Sequence, residues 1–267
     1  MNTILSIFCI TFSLIGCSTL GHTDTQTKKY DPDFNKLIIY SKFNKYDPRP
    51  TVILAHGCDG LQNNPNYKRW AEYVDSIGYN VVMYDSYVAM GYSSGNVCEL
   101  MPGNDQATAL WWDKHKSIRP RESNSIAKWV KEQSWHKGKV ALLGFSAGGN
   151  TAMHYSNKEN QDGDDISSVI AFYPACHEST MGYKTFFKGW ILKVPTQVHI
   201  GTAEDWSLGD CSNIKNIEMI KYKNATHAFD MDFGRPYIKT AGHIMRYDKE
   251  AHEKSKQKVK EFLQANL

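Results

Sequence analysis

Ser146 is the residue whose neighbours best equip it for chemistry. It lies in Gly144-Phe145-Ser146-Ala147-Gly148-Gly149, after the apolar run Val140 to Leu143 and before the helix-compatible Thr151 to Ser156. A serine on a strand-to-helix turn, with glycine two positions to either side, can be held in strained dihedrals with its hydroxyl exposed. The turn also aims the first N–H groups of the helix at the place where an oxyanion would form. A serine hydroxyl is a weak nucleophile at neutral pH, so it needs a histidine base oriented by a carboxylate. Downstream, Thr196 to Ile200 runs into Gly201-Thr202-Ala203-Glu204-Asp205-Trp206, and Glu218 to Tyr222 runs into Lys223-Asn224-Ala225-Thr226-His227. Carboxylate and imidazole therefore follow consecutive strand ends on one rim. Asp205 is favoured over Glu204 as the acid, and His227 is the base.

A second oxyanion donor is expected from an earlier strand end. Thr51 to Ala55 leads into His56-Gly57-Cys58-Asp59-Gly60, a glycine-flanked turn whose backbone can approach a substrate. The N–H of Cys58 is the candidate, alongside that of Ala147. His56 reads as a brace for this loop. The Cys58 thiol lacks the setting of a nucleophile. His136, His154, His177 and His199 read as structural, and His243 and His252 have no strand end to hold them. Nothing resembles a metal-ligand set, since His177-Glu178 is not followed by the second histidine of H-E-x-x-H. No cofactor is implied.

These groups must be positioned by a sheet. Buried-strand runs recur at Leu37 to Tyr40, Thr51 to Ala55, Asn80 to Tyr84, Val140 to Gly144, Ser168 to Tyr173, Thr196 to Ile200 and Glu218 to Tyr222. Helical patterns occupy Tyr67 to Ile77, Ser123 to Gln133 and Asp248 to Leu267. The alternation predicts an α/β fold with a mostly parallel sheet covered by helices on both faces. Residues 85–122, broken by Gly91, Gly95, Pro102 and Gly103, read as a long loop with one short helix near Asp105 to His115. Trp111, Trp112 and Tyr92 in that stretch would supply one wall of a pocket.

Net charge is +3, from 31 Lys and Arg against 28 Asp and Glu, and the basic residues are dispersed. Nucleic acid is therefore not an expected partner. The apolar segment Ile4 to Gly16 is too short to cross a hydrocarbon core of roughly 30 Å. It matches the core of a secretion signal, and Leu14-Ile15-Gly16-Cys17 is similar to the lipobox of bacterial lipoproteins. This implies a signal peptide over 1–16, lipidation at Cys17, a polar tether over 17–30 and a folded domain over 31–267. The chain would then be anchored by acyl groups in the bacterial envelope, on the periplasmic side of the outer membrane, as the following Ser18 implies. Export leaves Cys58, Cys98, Cys176 and Cys211 in an oxidising compartment, where two disulfides with three possible connectivities are expected.

The sequence resembles the dienelactone hydrolase family of the α/β-hydrolase superfamily. The resemblance rests on His56-Gly57-Cys58-x-Gly60-Leu61, Val82-Met83-Tyr84-Asp85-Ser86, Gly144-Phe145-Ser146-Ala147-Gly148-Gly149, Phe172-Tyr173-Pro174, Gly201-x-x-x-Asp205-Trp206 and His227-Ala228-Phe229. It implies that Ser146 is the nucleophile, Asp205 the acid and His227 the base. On that fold, Cys58 and Cys98 follow consecutive strands, as do Cys176 and Cys211, which implies pairing in those two couples. The family's namesake enzymes carry a cysteine nucleophile and arginines that grip a lactone carboxylate; here the nucleophile is serine, and 86–97 contains no basic residue. The activity implied is hydrolysis of a small-molecule ester, lactone or thioester through an acyl-enzyme on Ser146. A peptidase or acyltransferase on the same fold, or a surface-binding lipoprotein without turnover, are the competing readings.

Overall fold

The computed structural model describes residues 38–62, 64–89, 98, 106–176, 190–204, 211, 214–240 and 243–267, without the side chains of 38–39, 88–89, 106–117, 239–240 and 243. The expected leader, Cys17, the tether, Tyr92, His177, Asp205 and the side chains of Trp111, Trp112 and His243 lie outside that description. Seven strands form one sheet: β1 (Ile38–Lys42), β2 (Arg49–Ala55), β3 (Asn80–Tyr84), β4 (His136–Phe145), β5 (Ser168–Phe172), β6 (Ile191–Gly201) and β7 (Lys215–Tyr222). Their order is β1-β3-β2-β4-β5-β6-β7. Only β1 runs antiparallel, against β3. Each expected strand run falls within or overlaps one of these seven. A separate hairpin, β8 (Ile238–Thr240) with β9 (His243–Met245), was not expected.

The parallel strands read as continuous apolar runs because both faces are covered. Along β2, Val52 and Leu54 enter one core with Trp70, Phe145, Phe172 and Phe262. Ile53 and Ala55 enter the other with Ile126, Val130, Leu142 and Met153. The first face is covered by α1 (Pro65–Ser76) and α5 (Lys249–Asn266). Both begin at a side-chain cap, Asn64 accepting from the Asn66 N–H and Asp248 from the Ala251 N–H. α2 (Ser86–Ala89) is a single turn after β3.

The segment before β4 departs from expectation. The short helix near 105–115 and the separate one over 123–133 are a single helix, α3 (Gln106–Lys131), with Pro120 inside it. Proline removes one ladder donor, and a sequence reading breaks the helix there. Packing overrides this: Arg119, Ser123, Ile126, Ala127 and Val130 are all buried along it. α4 (Ala147–Ser156) follows β4 directly.

Strand order fixes where a site can form. Connections from β2 lead to β3 on one side, while β4 lies on the other, so the chain reverses direction across β2 and β4. A crevice opens at the carboxyl ends of strands at such a switch point. Ala55 pairs with Gly144, and Phe145 with Phe172. Gly201 pairs with Tyr222 at the far side of the same rim.

His199, which read as structural, is held between these strands as a neutral ring. Its Nδ1 and the Tyr222 hydroxyl are 2.7 Å apart, its Nε2 and Gln197 Oε1 are 2.7 Å apart, and it stacks on Phe172 at 4.2 Å. Burial pushes its pKa down to about 3. The unfolded chain takes up this proton near the ordinary histidine value of about 6.5, and the folded chain does not. Stability is therefore lost as pH falls from about 6.5 towards 3, by about 1.4 kcal/mol per pH unit. Urea unfolding near neutrality and at about two pH units lower should show this acid slope, and His199→Gln should flatten it. An equal slope in the variant would assign the acid sensitivity to other groups.

Candidate active site

Ser146 stands at the turn between β4 and α4 with φ 52° and ψ −114°. A non-glycine residue there carries strain of about 1–3 kcal/mol, which the surroundings must hold. They do so by hydrogen bonding and close approach. The Ser146 N–H donates to the Phe172 carbonyl at 3.0 Å. A Cβ on Gly144 would collide with the Gly148 carbonyl, and one on Gly148 with the Ala55 carbonyl. The two glycines flanking the serine are thus required by backbone contact. Ala147 occupies the first helical position, where an N–H has no partner within its own helix.

His227 reaches the serine from the loop after β7. Its Nε2 lies 3.0 Å from Ser146 Oγ, and its Nδ1 lies 3.0 Å from Glu204 Oε2. The imidazole and the Glu204 side chain are both almost completely buried, at 4% and 6% exposure. With Nδ1–H donating to the carboxylate, Nε2 presents its lone pair to the serine hydroxyl. The Tyr173 ring packs against the imidazole at 4.5 Å. The adjoining loop is tied down by the Arg246 N–H donating to Thr226 Oγ1 at 2.9 Å and the Asp248 N–H donating to the Phe229 carbonyl at 2.8 Å.

The carboxylate at the imidazole is that of Glu204, where the sequence reading favoured its neighbour Asp205. Asp205 lies outside the described residues. What brings Glu204 there is the way β6 ends. The Thr202 N–H donates to the Tyr222 carbonyl at 2.8 Å, and the Ala203 N–H to the Ala225 carbonyl at 3.0 Å. A Cβ on Gly201 would strike that same Ala225 carbonyl, so β6 meets the histidine loop only because glycine stands there. The next side chain along, Glu204, then faces His227.

The loop after β2 is braced as expected, and by more groups than the sequence disclosed. His56 Nδ1 lies 2.7 Å from the Gly57 carbonyl, and its Nε2 accepts from the Ser86 N–H at 3.2 Å. Arg119, fully buried, donates to the His56 carbonyl at 2.7 Å and to Ser86 Oγ at 3.0 Å. The Gly57 N–H donates to the Tyr67 hydroxyl at 2.8 Å. Cys58 forms a disulfide with Cys98, and the Cys98 N–H donates to the Cys58 carbonyl at 3.1 Å. Cys58 therefore holds no free thiol. The second disulfide joins Cys176 to Cys211, so both implied pairings form. Arg119 and Tyr67 went unmarked in the sequence because nothing local distinguishes them from ordinary helix residues.

A cavity of about 190 Å³ opens beside Ser146 and His227, with Cys58, Tyr67 and Tyr173 in its wall. A serine hydroxyl within hydrogen-bond reach of an imidazole, N–H groups at a helix start and a small cavity form an arrangement that can carry out acyl transfer.

A family model described as the dienelactone hydrolase family matches residues 37–267. No curated protein sequence matches the chain. Among solved structures, it is similar to the dienelactone hydrolase-like promiscuous phosphotriesterase P91 from metagenomic libraries, at 15% identity and TM-score 0.57, covering 85% of this chain and 98% of that one. Est1E of Butyrivibrio proteoclasticus with bound ferulic acid matches at 17% identity and TM-score 0.54, over 85% and 94% of the two chains. Esterase Pf2001 of Pyrococcus furiosus matches at 14% identity and TM-score 0.52, over 84% and 85%. At these identities the likeness establishes a shared α/β-hydrolase fold.

Proposed function

The chain belongs to the dienelactone hydrolase family, and is therefore read as a hydrolase; from that premise we propose that it cleaves carboxylic esters, lactones or thioesters through an acyl-enzyme on Ser146. The observation that carries this reading is the continuous hydrogen-bond chain from Ser146 Oγ through His227 to Glu204.

His227 Nε2 takes the hydroxyl proton as Ser146 Oγ attacks the carbonyl carbon. The carbonyl oxygen becomes an oxyanion held by the N–H groups of Ala147 and Cys58. Glu204 keeps the imidazole in the required tautomer and offsets its positive charge once it is protonated. The imidazolium then gives its proton to the leaving oxygen or sulfur, and the acyl group stays on Ser146. Water, deprotonated by His227, attacks the acyl carbon and releases the acid with the serine restored.

Screening short aryl esters, lactones, thioesters and amides tests the reading. Turnover of at least the activated esters is expected. A folded protein idle toward all of them would overturn it.

The location follows the same line. Two disulfides belong in an oxidising compartment, to which the leader-like Ile4 to Gly16 and Cys17 would deliver the chain. Cys17→Ala is expected to move the protein from the membrane fraction to the soluble one; unchanged partitioning would contradict lipid anchoring at that residue.

A further inference from the structure

The cavity beside Ser146 has, among its described lining residues, one charged group that acyl transfer does not use. Asp59 lines it, partly buried, directly after the residue whose N–H is assigned to the oxyanion. Its carboxylate is built into a network. Tyr67 accepts the Gly57 N–H, which directs the phenol's own proton to Asp59 Oδ1 at 2.5 Å. Asn64 donates to Asp59 Oδ2 at 2.6 Å. Both carboxylate oxygens thus receive a proton donor, an arrangement suited to the ionised form. Burial is the larger influence and holds the Asp59 carboxyl above the ordinary carboxylate range, while the donations from Tyr67 and Asn64 oppose that shift.

The rest of the wall is largely apolar and includes Tyr173, Met231, Phe233, Ile238 and Met245. Among the described residues that line it there is no Lys or Arg. A carboxylate-bearing substrate would find there the Asp59 anion in a low-dielectric setting and, among the described lining residues, no Lys or Arg to answer it, whereas a neutral or cationic chain meets no such opposition.

We propose that Asp59 sets the charge preference of the cavity, so that the enzyme takes esters with neutral or cationic acyl chains and rejects those whose acyl chain ends in a carboxylate. The acyl chain is the part at issue, because it remains bonded to Ser146 within this small space after the alcohol has left. The inference rests on the ester-hydrolase reading above and adds its substrate class.

The test uses three p-nitrophenyl esters of matched length, whose acyl groups are pentanoyl, hemiglutaryl and trimethylammoniobutanoyl, with spontaneous hydrolysis subtracted. Each kcat/KM is expressed relative to the neutral ester, and wild type is compared with Asp59→Asn, so that intrinsic ester reactivity cancels. The variant is expected to raise the relative rate on the anionic ester by about tenfold or more and to lower that on the cationic one. Asp59→Glu, which keeps the charge, should retain the wild-type order. Should Asp59→Asn disturb folding, the unaltered protein supplies the answer: butyltrimethylammonium should compete with the neutral ester at lower concentration than pentanoate does. Equal ratios in wild type and variant, or equal inhibition by the two ions, would overturn the proposal while leaving hydrolysis standing. Failure to hydrolyse even the neutral ester would instead overturn the functional reading, and the proposal with it.

Discussion

Ser146→Ala is expected to lower kcat on an activated ester by a factor on the order of 10⁵ to 10⁶, while the variant folds and unfolds like the parent protein. The size follows from what is removed. Without Oγ there is no covalent route and no hydroxyl proton for His227 to accept; the cavity and the oxyanion N–H groups remain, which still accelerate direct attack by water by about 10³ to 10⁴ over the uncatalysed reaction. Folding should survive because Ser146 holds its strained φ through backbone contacts, the N–H to Phe172 and the glycine carbonyl packing, which alanine retains. Steady-state rates with circular dichroism and urea unfolding check both halves. A variant retaining a tenth of the activity would show that another group attacks the substrate.

The second large effect concerns the acid. Glu204→Gln is expected to reduce kcat by about 10⁴ with little change in KM. An amide can present its N–H₂ to Nδ1, which favours the tautomer carrying the proton on Nε2, the nitrogen that must accept from Ser146. It also leaves the buried imidazolium of the transition state without its counter-charge. Asp205→Asn, measured beside it, should stay within a few-fold of wild type. The reverse outcome, with Asp205→Asn the damaging change, would transfer the acid role to the neighbour. A larger effect on KM than on kcat in Glu204→Gln would make that carboxylate a substrate-binding group.

This pair of variants bears on how far such a site can be read from a sequence. Ser146 was legible because its requirements are local: a strand, a turn and glycine at both flanking positions are all contiguous. The position of His227 was legible because its place after the last strand of the main sheet follows from chain order and parallel topology. That Glu204 meets the imidazole was not, because which side chain faces the histidine depends on the residue at which β6 stops. That stop is set by Gly201 against Ala225 and by hydrogen bonds to Tyr222 at the end of β7 and to Ala225 just beyond it, contacts that a linear pattern does not contain. Gly201 was the available signal, being a glycine that closes a strand in which the β-branched Thr196, Val198 and Ile200 alternate with polar residues.

The sheet was legible for a related reason. Strands buried on both faces leave apolar runs that need no partner to be recognised. The long helix was not, since Pro120 is a local argument for a break, while the burial of Arg119, Ile126 and Val130 that sustains it is a tertiary one. Arg119 shows the limit most clearly. A cation in a helix ordinarily reads as a solvated face, yet this one lies fully buried under the β2 loop and donates to the His56 carbonyl. Asp59 was similarly hidden, because its meaning comes from the Tyr67 and Asn64 donors that α1 and its cap deliver to it.

The central claim is that a substrate acyl group becomes bonded to Ser146 Oγ. Acid-quenching the enzyme within its first turnovers of a p-nitrophenyl ester, then measuring the intact mass and mapping the modified peptide, tests it most directly. The account predicts a mass increase equal to one acyl group, located on Ser146, which decays as substrate is consumed and is absent from Ser146→Ala. Full turnover with the acyl group found on another residue would contradict it.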